Sequence, residues 1–253
     1  MRRWLVLLSV MTLLPGACNM AEPTDTTSSL QSELLVSAAA SLTDAFGEIE
    51  TVFEDANPGV DVVLNLGPSS GLREQILEGA PADVFASANV SSMDQVVEAG
   101  EAADSEIFIS NLLQIAVPAG NPGDVAGLGD FDREELLIGL CAEDVPCGDF
   151  AREALANAGV TASIDSNEPD VRALLTKVEV GELDAAILYV SDVISAGDLV
   201  QGVDIPEDQN VIADYPIASL TNASNPEAAA AFVEFVLSDE GQAILIEYGF
   251  TSP

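Results

Sequence analysis

The chain contains no histidine and a single lysine, Lys177, and its 7 lysines and arginines face 43 aspartates and glutamates. Without histidine a Ser-His-Asp relay cannot be assembled, and two cysteines alone are too few soft ligands for a metal. A Ser-Lys dyad would have to recruit Lys177, which falls inside a predicted helix far from any candidate serine. Positive charge is too scarce to neutralise phosphates, which excludes nucleic acid as a partner. No G-x-x-x-x-G-K-S/T, G-x-G-x-x-G or EF-hand spacing occurs either. At a formal net charge of −36, any pair of carboxylates reads as solvated surface rather than an acid/base dyad. Aromatics make up only 5% of the chain, so the core must be built from aliphatic and alanine side chains. The residues are those of a binder, not an enzyme, and no cofactor is expected.

What is present starts with export. Arg2 and Arg3 precede an apolar run from Trp4 to Leu14, too short to span a bilayer, and no other segment is long enough. Leu14-Pro-Gly-Ala-Cys18 closes it like a lipoprotein processing site, although Pro15 stands where leucine is usual. Residues 1–18 therefore read as a signal peptide with Cys18 as the lipidation site. Residues 19–32 are polar and aperiodic, a flexible tether of about 20 Å by random-coil scaling. Cys141 and Cys147 remain, six positions apart around Val145-Pro146. Export permits a disulfide between them, the alternative being two unrelated buried thiols.

From residue 33 strands and helices alternate. Apolar strands are expected at Leu34–Val36, Val60–Leu66, Val84–Ser87, Leu112–Val117, Leu136–Leu140, Ala185–Val190 and Tyr215–Leu220. Helices are expected after Ser41, at 72–77, after a cap at Ser91 or Ser92, and at 149–158, 171–180, 226–237 and 240–248. Such alternation gives an α/β fold of mostly parallel sheets flanked by helices, with ligands at the carboxyl ends of strands. A breaker cluster at Pro118–Gly123 and a return near 214 divide the chain into two lobes with a hinge cleft. Lobe 1 comprises 33–116 plus 214–253, and lobe 2 comprises 117–213.

Two serines stand at strand-to-helix junctions. Ser41 reads as an N-cap with Asp44 three residues on, and Ser69 lies in Gly67-Pro-Ser-Ser-Gly71. A helix start offers unpaired N–H groups and the positive end of the dipole, and two such turns facing one cleft can hold an anion. The second turn also matches G-x-S-x-G, but with no histidine available the nucleophile-elbow reading fails.

Several ordered segments add a resemblance. Ala38-Ala-Ala-Ser-Leu-Thr-Asp44, Ser69-Ser70, Gly79-Ala-Pro-Ala-Asp-Val-Phe-Ala-Ser-Ala88, Asp170-Val-Arg172, Ile187-Leu-Tyr-Val-Ser-Asp192 and Tyr248-Gly-Phe250 occur in this order. Together they resemble the periplasmic molybdate-binding proteins of molybdate ABC transporters over residues 33–252. The resemblance implies a monomeric, two-lobed periplasmic-binding-protein fold that closes over molybdate or tungstate. It would hand the ion to a membrane permease driven by a separate ATPase. It also implies contacts from the hydroxyls and backbone of Ser41 and Ser69, the N–H groups of Ala88 and Val171, and the phenol of Tyr189. Read without it, Ala88, Val171 and Tyr189 would be ordinary core positions. Phe150 stands where a tyrosine is frequent in the family, and Arg73 and Arg172 are assigned ion pairing rather than ligand contact. The alternatives are a receptor for another small oxyanion such as sulfate, or a lipoprotein interaction module that uses the fold without a ligand.

Self-repulsion among so many carboxylates is screened by salt. Thermal stability is therefore expected to rise from low to molar salt in melting experiments, and a fall would remove salt screening as the reason for this composition.

Overall fold

The structure is a computed structural model that describes residues 32–253. The expected signal peptide, with Cys18, and the expected tether up to residue 31 lie outside the described residues. Ser32, counted to the tether, opens the first strand.

Strand β1 (Ser32–Ala39) is central to its part of the sheet, which is why Leu34, Val36 and Ala38 are fully buried. It pairs in parallel with β2 (Val60–Gly67) on one side and β3 (Val84–Ala86) on the other. Between them run α1 (Thr43–Ala56), α2 (Ser69–Leu77) and, after β3, α3 (Val90–Glu98). The helix α1 buries Ala45, Phe46, Ile49 and Phe53, the face its spacing predicts. Strand β4 (Glu106–Pro118) follows, and β5 (Ile138–Cys141), α4 (Pro146–Asn157), β6 (Ser166–Glu168), α5 (Val171–Glu179) and β7 (Ala185–Tyr189) form the second series. The chain then passes through α6 (Val190–Ser195) and β8 (Val200–Asp204) and returns by β9 (Ile212–Ser219), α7 (Pro226–Leu237) and α8 (Asp239–Glu247).

The strands lie in the order β2-β1-β3-β9-β4-β7-β5-β6, with β8 also paired to β4. Pairing is parallel on both flanks and antiparallel wherever β4 or β9 takes part. The centre of the sheet is thus more antiparallel than simple alternation implies. The reason is connectivity: β4 carries the chain out of the first series and β9 brings it back, so the two run in opposite directions. Residues Glu106–Leu112 of β4 pair with β9, while Leu113–Ala116 pair with β7.

Three elements, β6, α6 and β8, were not expected. All are short, and Ser166-Asn-Glu168 is polar, so its extended state comes from pairing with β5 rather than from any periodicity. The start of β4 was also missed, because Ser110 and Asn111 interrupt its apolar pattern. Both are buried and satisfied by distant partners, Ser110 Oγ donating to Asp214 (2.7 Å) and Asn111 Nδ2 to Ser191 (2.8 Å). The cap of α3 is Asn89, whose Oδ1 accepts from the Ser92 N–H at 3.2 Å, rather than Ser91 or Ser92 themselves. Asn89 is extended and its short amide reaches back, while both serines already lie inside the helix.

The few aromatics are concentrated in one string. Phe235, Phe53, Phe232, Phe46, Phe108, Tyr215 and Tyr189 follow each other with ring centroids 5.2–6.4 Å apart. The string runs from α7 through the core to the end of β7, and Phe250 joins it at Tyr215 (5.6 Å).

Helix α4 begins at Pro146, three residues before its expected start, since proline suits the first helical position. Cys147 therefore sits in the first turn of α4 and is joined to Cys141 at the end of β5, with Cα atoms 5.7 Å apart. Gly148 makes the close approach possible, because a Cβ there would lie 1.8 Å from the Ala142 carbonyl oxygen. Replacing both cysteines by serine removes a short loop constraint and is expected to cost about 2 kcal/mol in denaturant titration. An unchanged midpoint would mean that the packing of α4 on β5 holds this corner without the bond.

Candidate anion-binding site

Within each parallel flank the carboxyl ends come level: Ala39 pairs with Gly67 and Ala38 with Ala86 in one, and Cys141 with Glu168 in the other. Three antiparallel pairings separate the flanks, so they run in opposite directions and their carboxyl ends face each other across the middle of β4. There they enclose a cavity of about 20 Å³, room for a small ion but not for a sugar or peptide. Its walls are Ala39, Ala40 and Ser41 after β1, Gly67, Pro68 and Ser69 after β2, and Ala88 after β3. From the other side come Val145, Pro146 and Cys147 at the start of α4, Asp170 and Val171 at the start of α5, and Tyr189 ending β7. Ser41, Ser69, Ala88, Val171 and Tyr189, named from the sequence, all line this one cavity. The lining contains no lysine or arginine.

Helices α2, α4 and α5 all start at this cavity. The cap positions of α2 and α4 are Pro68 and Val145, neither of which offers a side-chain acceptor to the first turn. The first N–H groups of α2 are left for whatever occupies the space, and in α4, where Pro146 has no N–H and Gly148 donates to the Val145 carbonyl, the Cys147 N–H is left. Helix α5 is capped by Asp170, whose Oδ1 accepts from the Ala173 N–H at 2.8 Å, so that carboxylate is turned onto its own helix. Three N-terminal dipole ends thus meet over one small volume, an electrostatic arrangement that favours negative charge without any formal cation.

Ser41 is not the N-cap its position suggested. A short 3-10 turn, Ala40–Leu42, intervenes, and the position before α1 is Leu42. The turn carries Ser41 towards the core, where its Oγ shares a hydrogen bond of 2.8 Å with the Tyr215 hydroxyl. Asp44, expected to complete a capping box, instead accepts from Arg172 Nη1 at 3.0 Å. Ala88, expected to offer its N–H to a ligand, donates it to Ser69 Oγ at 2.9 Å. That bond occupies an acceptor site of the serine and leaves its O–H free to donate into the cavity.

Tyr189 is 1% exposed and its phenol has no hydrogen-bond partner. Burial pushes its ionisation well above the ordinary phenol value, reinforced by neighbouring Tyr215 and Asp192, so it stays a neutral donor. Burial also raises Tyr215, although its bond to Ser41 opposes the shift. An unsatisfied buried hydroxyl is costly, and one lining a cavity of anion size marks a place where an acceptor belongs.

Tyr215 and the start of α4 were missed in the sequence. Tyr215 lies within an apolar strand and gave no signal. The α4 junction did: a strand followed by Val145-Pro146 and a helix is the same arrangement that singled out Ser41 and Ser69, here without a serine to draw attention. Arg73 pairs with Glu74 (3.1 Å) and Arg172 with Asp44, so both form ion pairs and neither lines the cavity.

Fold and site define a class: an α/β binding protein with a small cavity, free of cations, at which helix starts and neutral donors converge. The profile of the bacterial extracellular solute-binding protein family matches residues 34–251. The molybdate-binding protein ModA of Mycobacterium tuberculosis is 39% identical over 221 residues, covering 87% of this chain and 85% of that protein. The putative ABC transporter substrate-binding lipoprotein YvgL of Bacillus subtilis is 28% identical over 95% of this chain and 94% of its own length. Among solved structures, the substrate-binding domain of a putative molybdenum ABC transporter from Clostridium difficile superposes with a TM-score of 0.67 at 30% identity. It covers 87% of this chain and 99% of that one. The chain belongs to the bacterial extracellular solute-binding protein family, and is thus an exported binding protein rather than an enzyme.

Because the Tyr189 phenol has no partner, Tyr189→Phe is expected to leave ligand-free stability unchanged or to raise it by up to about 1 kcal/mol in chemical denaturation. A substantial loss would mean that the hydroxyl is already satisfied inside the protein.

Proposed function

We propose that this protein captures molybdate or tungstate and delivers it to a membrane ABC permease driven by a separate ATPase. The observation that carries the reading is the single cavity bringing Ser41, Ser69, Val171 and Tyr189 together at three helix starts, with no cation in its walls. A tetrahedral dianion is stabilised there by hydrogen bonds and aligned dipoles. The named relatives, a molybdate-binding protein and a putative molybdenum transporter domain, support this choice of ion. Ser41, Ser69 and Tyr189 donate hydroxyls, Val171 donates its N–H, and Ala88 acts chiefly by orienting Ser69.

The cleft lies between lobe 1, residues 33–116 plus 214–253, and lobe 2, residues 117–213. The hinge falls in β4 and β9, near the point where β4 exchanges β9 for β7 as its partner. The protein acts as a monomer, tethered to the membrane through a lipid on Cys18. The likeness to a putative substrate-binding lipoprotein supports the anchor, and no helix among the described residues is long and apolar enough to cross a membrane.

Uncharged donors cannot select by charge, so discrimination between molybdate and sulfate rests on cavity size and donor placement. In a thermal-shift panel, molybdate and tungstate at 100-fold over the dissociation constant are expected to add about 2.7 kcal/mol of stability. Sulfate and phosphate at equal concentration should add little. Ser41→Ala should weaken molybdate binding by about 1.5–3 kcal/mol in calorimetry. Sulfate as the preferred ligand, or no shift with any oxyanion, would overturn the proposal.

A further inference from the structure

Five cationic side chains occur among the described residues, and four of them find their partners close by in sequence. Arg73 pairs with Glu74, Arg133 with Asp130 and Glu135, Arg152 with Glu143 and Asn167, and Lys177 with Glu168. Arg172 alone reaches across the fold. Its Nη1 donates to Asp44 Oδ2 at 3.0 Å, a carboxylate 128 positions away on α1. The same nitrogen donates to Ser195 Oγ at 2.8 Å, and the Ser195 hydroxyl donates in turn to Asp44 Oδ2. One carboxylate oxygen from the first series of elements is therefore held by two groups from the second. Arg172 follows directly on Val171, in the first turn of the helix that lines the cavity.

A second carboxylate competes for this guanidinium. Asp192, on α6, lies with Oδ1 3.9 Å from Arg172 Nη1, beyond hydrogen-bond reach. It is 1% exposed and its Oδ1 has no partner. Its Oδ2 accepts only a long bond from the Tyr189 N–H (3.3 Å). Burial pushes its carboxyl up to about 7, with Arg172 opposing the shift and Asp44 and Asp170 adding to it. A buried carboxylate so poorly compensated, beside a cation turned the other way, has a ready partner as soon as that cation is released.

We propose that Arg172 is an exchangeable latch: bound to Asp44 it holds the two halves together over the ligand, and bound to Asp192 it stabilises the halves apart. This rests on the proposed anion-receptor function and deepens it, by naming the residues that set how long the ion is retained. When α1 moves away, Asp44 leaves with it. Arg172 and Ser195 remain on the opposite side with Asp192 as the acceptor within reach. Opening then exchanges one ion pair for another, so it stays fast even though the closed state is held. Arg172 and Asp44 act through the closed geometry and do not touch the ligand. The pair is partly exposed, with side-chain exposures of 32% and 40%, so its effect is modest.

The test is stopped-flow tyrosine fluorescence of the mature protein with molybdate at about pH 8, where Asp192 is mostly ionised. Beyond Trp4 in the expected signal peptide the chain has no tryptophan, so its three tyrosines are the fluorophores, and two of them, Tyr189 and Tyr215, lie at or beside the cavity and report closure. Asp44→Asn is expected to raise the dissociation rate up to about fivefold with little change in the association rate. Asp192→Asn, which removes the competing charge, is expected to lower the dissociation rate. Opposite signs from two conservative carboxylate replacements are not the signature of general destabilisation. If both leave dissociation unchanged, or both shift it the same way, the latch is excluded. Should Asp44→Asn fail to fold, Ser195→Ala removes one of the two groups gripping Asp44 and must act in the same direction. If the wild-type protein binds no oxyanion, the proposed function fails, and the latch is read from small-angle scattering of ligand-free protein. Asp44→Asn must then have the larger radius of gyration, and identical curves would overturn the latch.

Discussion

The proposed function turns on the requirement that a small charged ligand be enclosed by groups that carry no charge themselves. Dipoles and hydrogen bonds match a formal cation only when several of them point at the same place and water is excluded. The parallel flanks of the sheet meet that requirement, because in each flank in-register strands end side by side, and the two flanks run in opposite directions so that these ends face each other. Ala39 opposite Gly67 and Cys141 opposite Glu168 are the structural expression of it. The starts of α4 and α5 lie together because β5 and β6 end level, and they meet the start of α2 because the other flank points its strand ends back at them. A slip in register would move these junctions apart and turn the side chains of the slipped strand over.

The antiparallel centre of the sheet has a different task. Strand β4 is shared between the two series, pairing with β9 along its first part and with β7 and β8 along its second. The proposed hinge needs only a bend within β4 and β9. The polar residues at the start of β4 are buried there, and each is satisfied across the crossing, Ser110 by Asp214 and Asn111 by Ser191. The aromatic string threads the same region and ends on Tyr189 and Tyr215. A chain poor in aromatics thus places most of them where they rigidify the route from core to cavity.

The charge distribution follows a parallel logic. An excess of carboxylates on the surface does not oppose anion binding inside, because screening at physiological salt limits exposed charges to about 8 Å. Keeping cations out of the cavity leaves those few available for structural work. Most of them close local loops, and Arg172 bridges distant elements. The disulfide belongs with these devices, since Cys147 both lines the cavity and ties the first turn of α4 to the end of β5. Gly148 permits that contact by leaving space for the Ala142 carbonyl.

Much of this was readable in the chain itself. The α/β alternation, the burial face of α1 and the two serine junctions follow from periodicity and helix-start chemistry, which are local properties. The absence of histidine alone ruled out the hydrolase suggested by Gly67-Pro-Ser-Ser-Gly71. Resemblance, not periodicity, singled out Ala88, Val171 and Tyr189, which look like core residues because they are buried. What the sequence could not reveal is decided by partners far away in it. Ser41 leaves its expected cap for Tyr215, 174 positions on. Asp44 turns to Arg172 instead of its own helix, and Ser166-Asn-Glu168 becomes a strand because β5 lies beside it. Local pattern determines which elements form and which faces they bury, because those depend on neighbours within a few residues. Where a hydroxyl or carboxylate finds its partner depends on how the finished sheet brings distant segments together, and only the tertiary structure decides that.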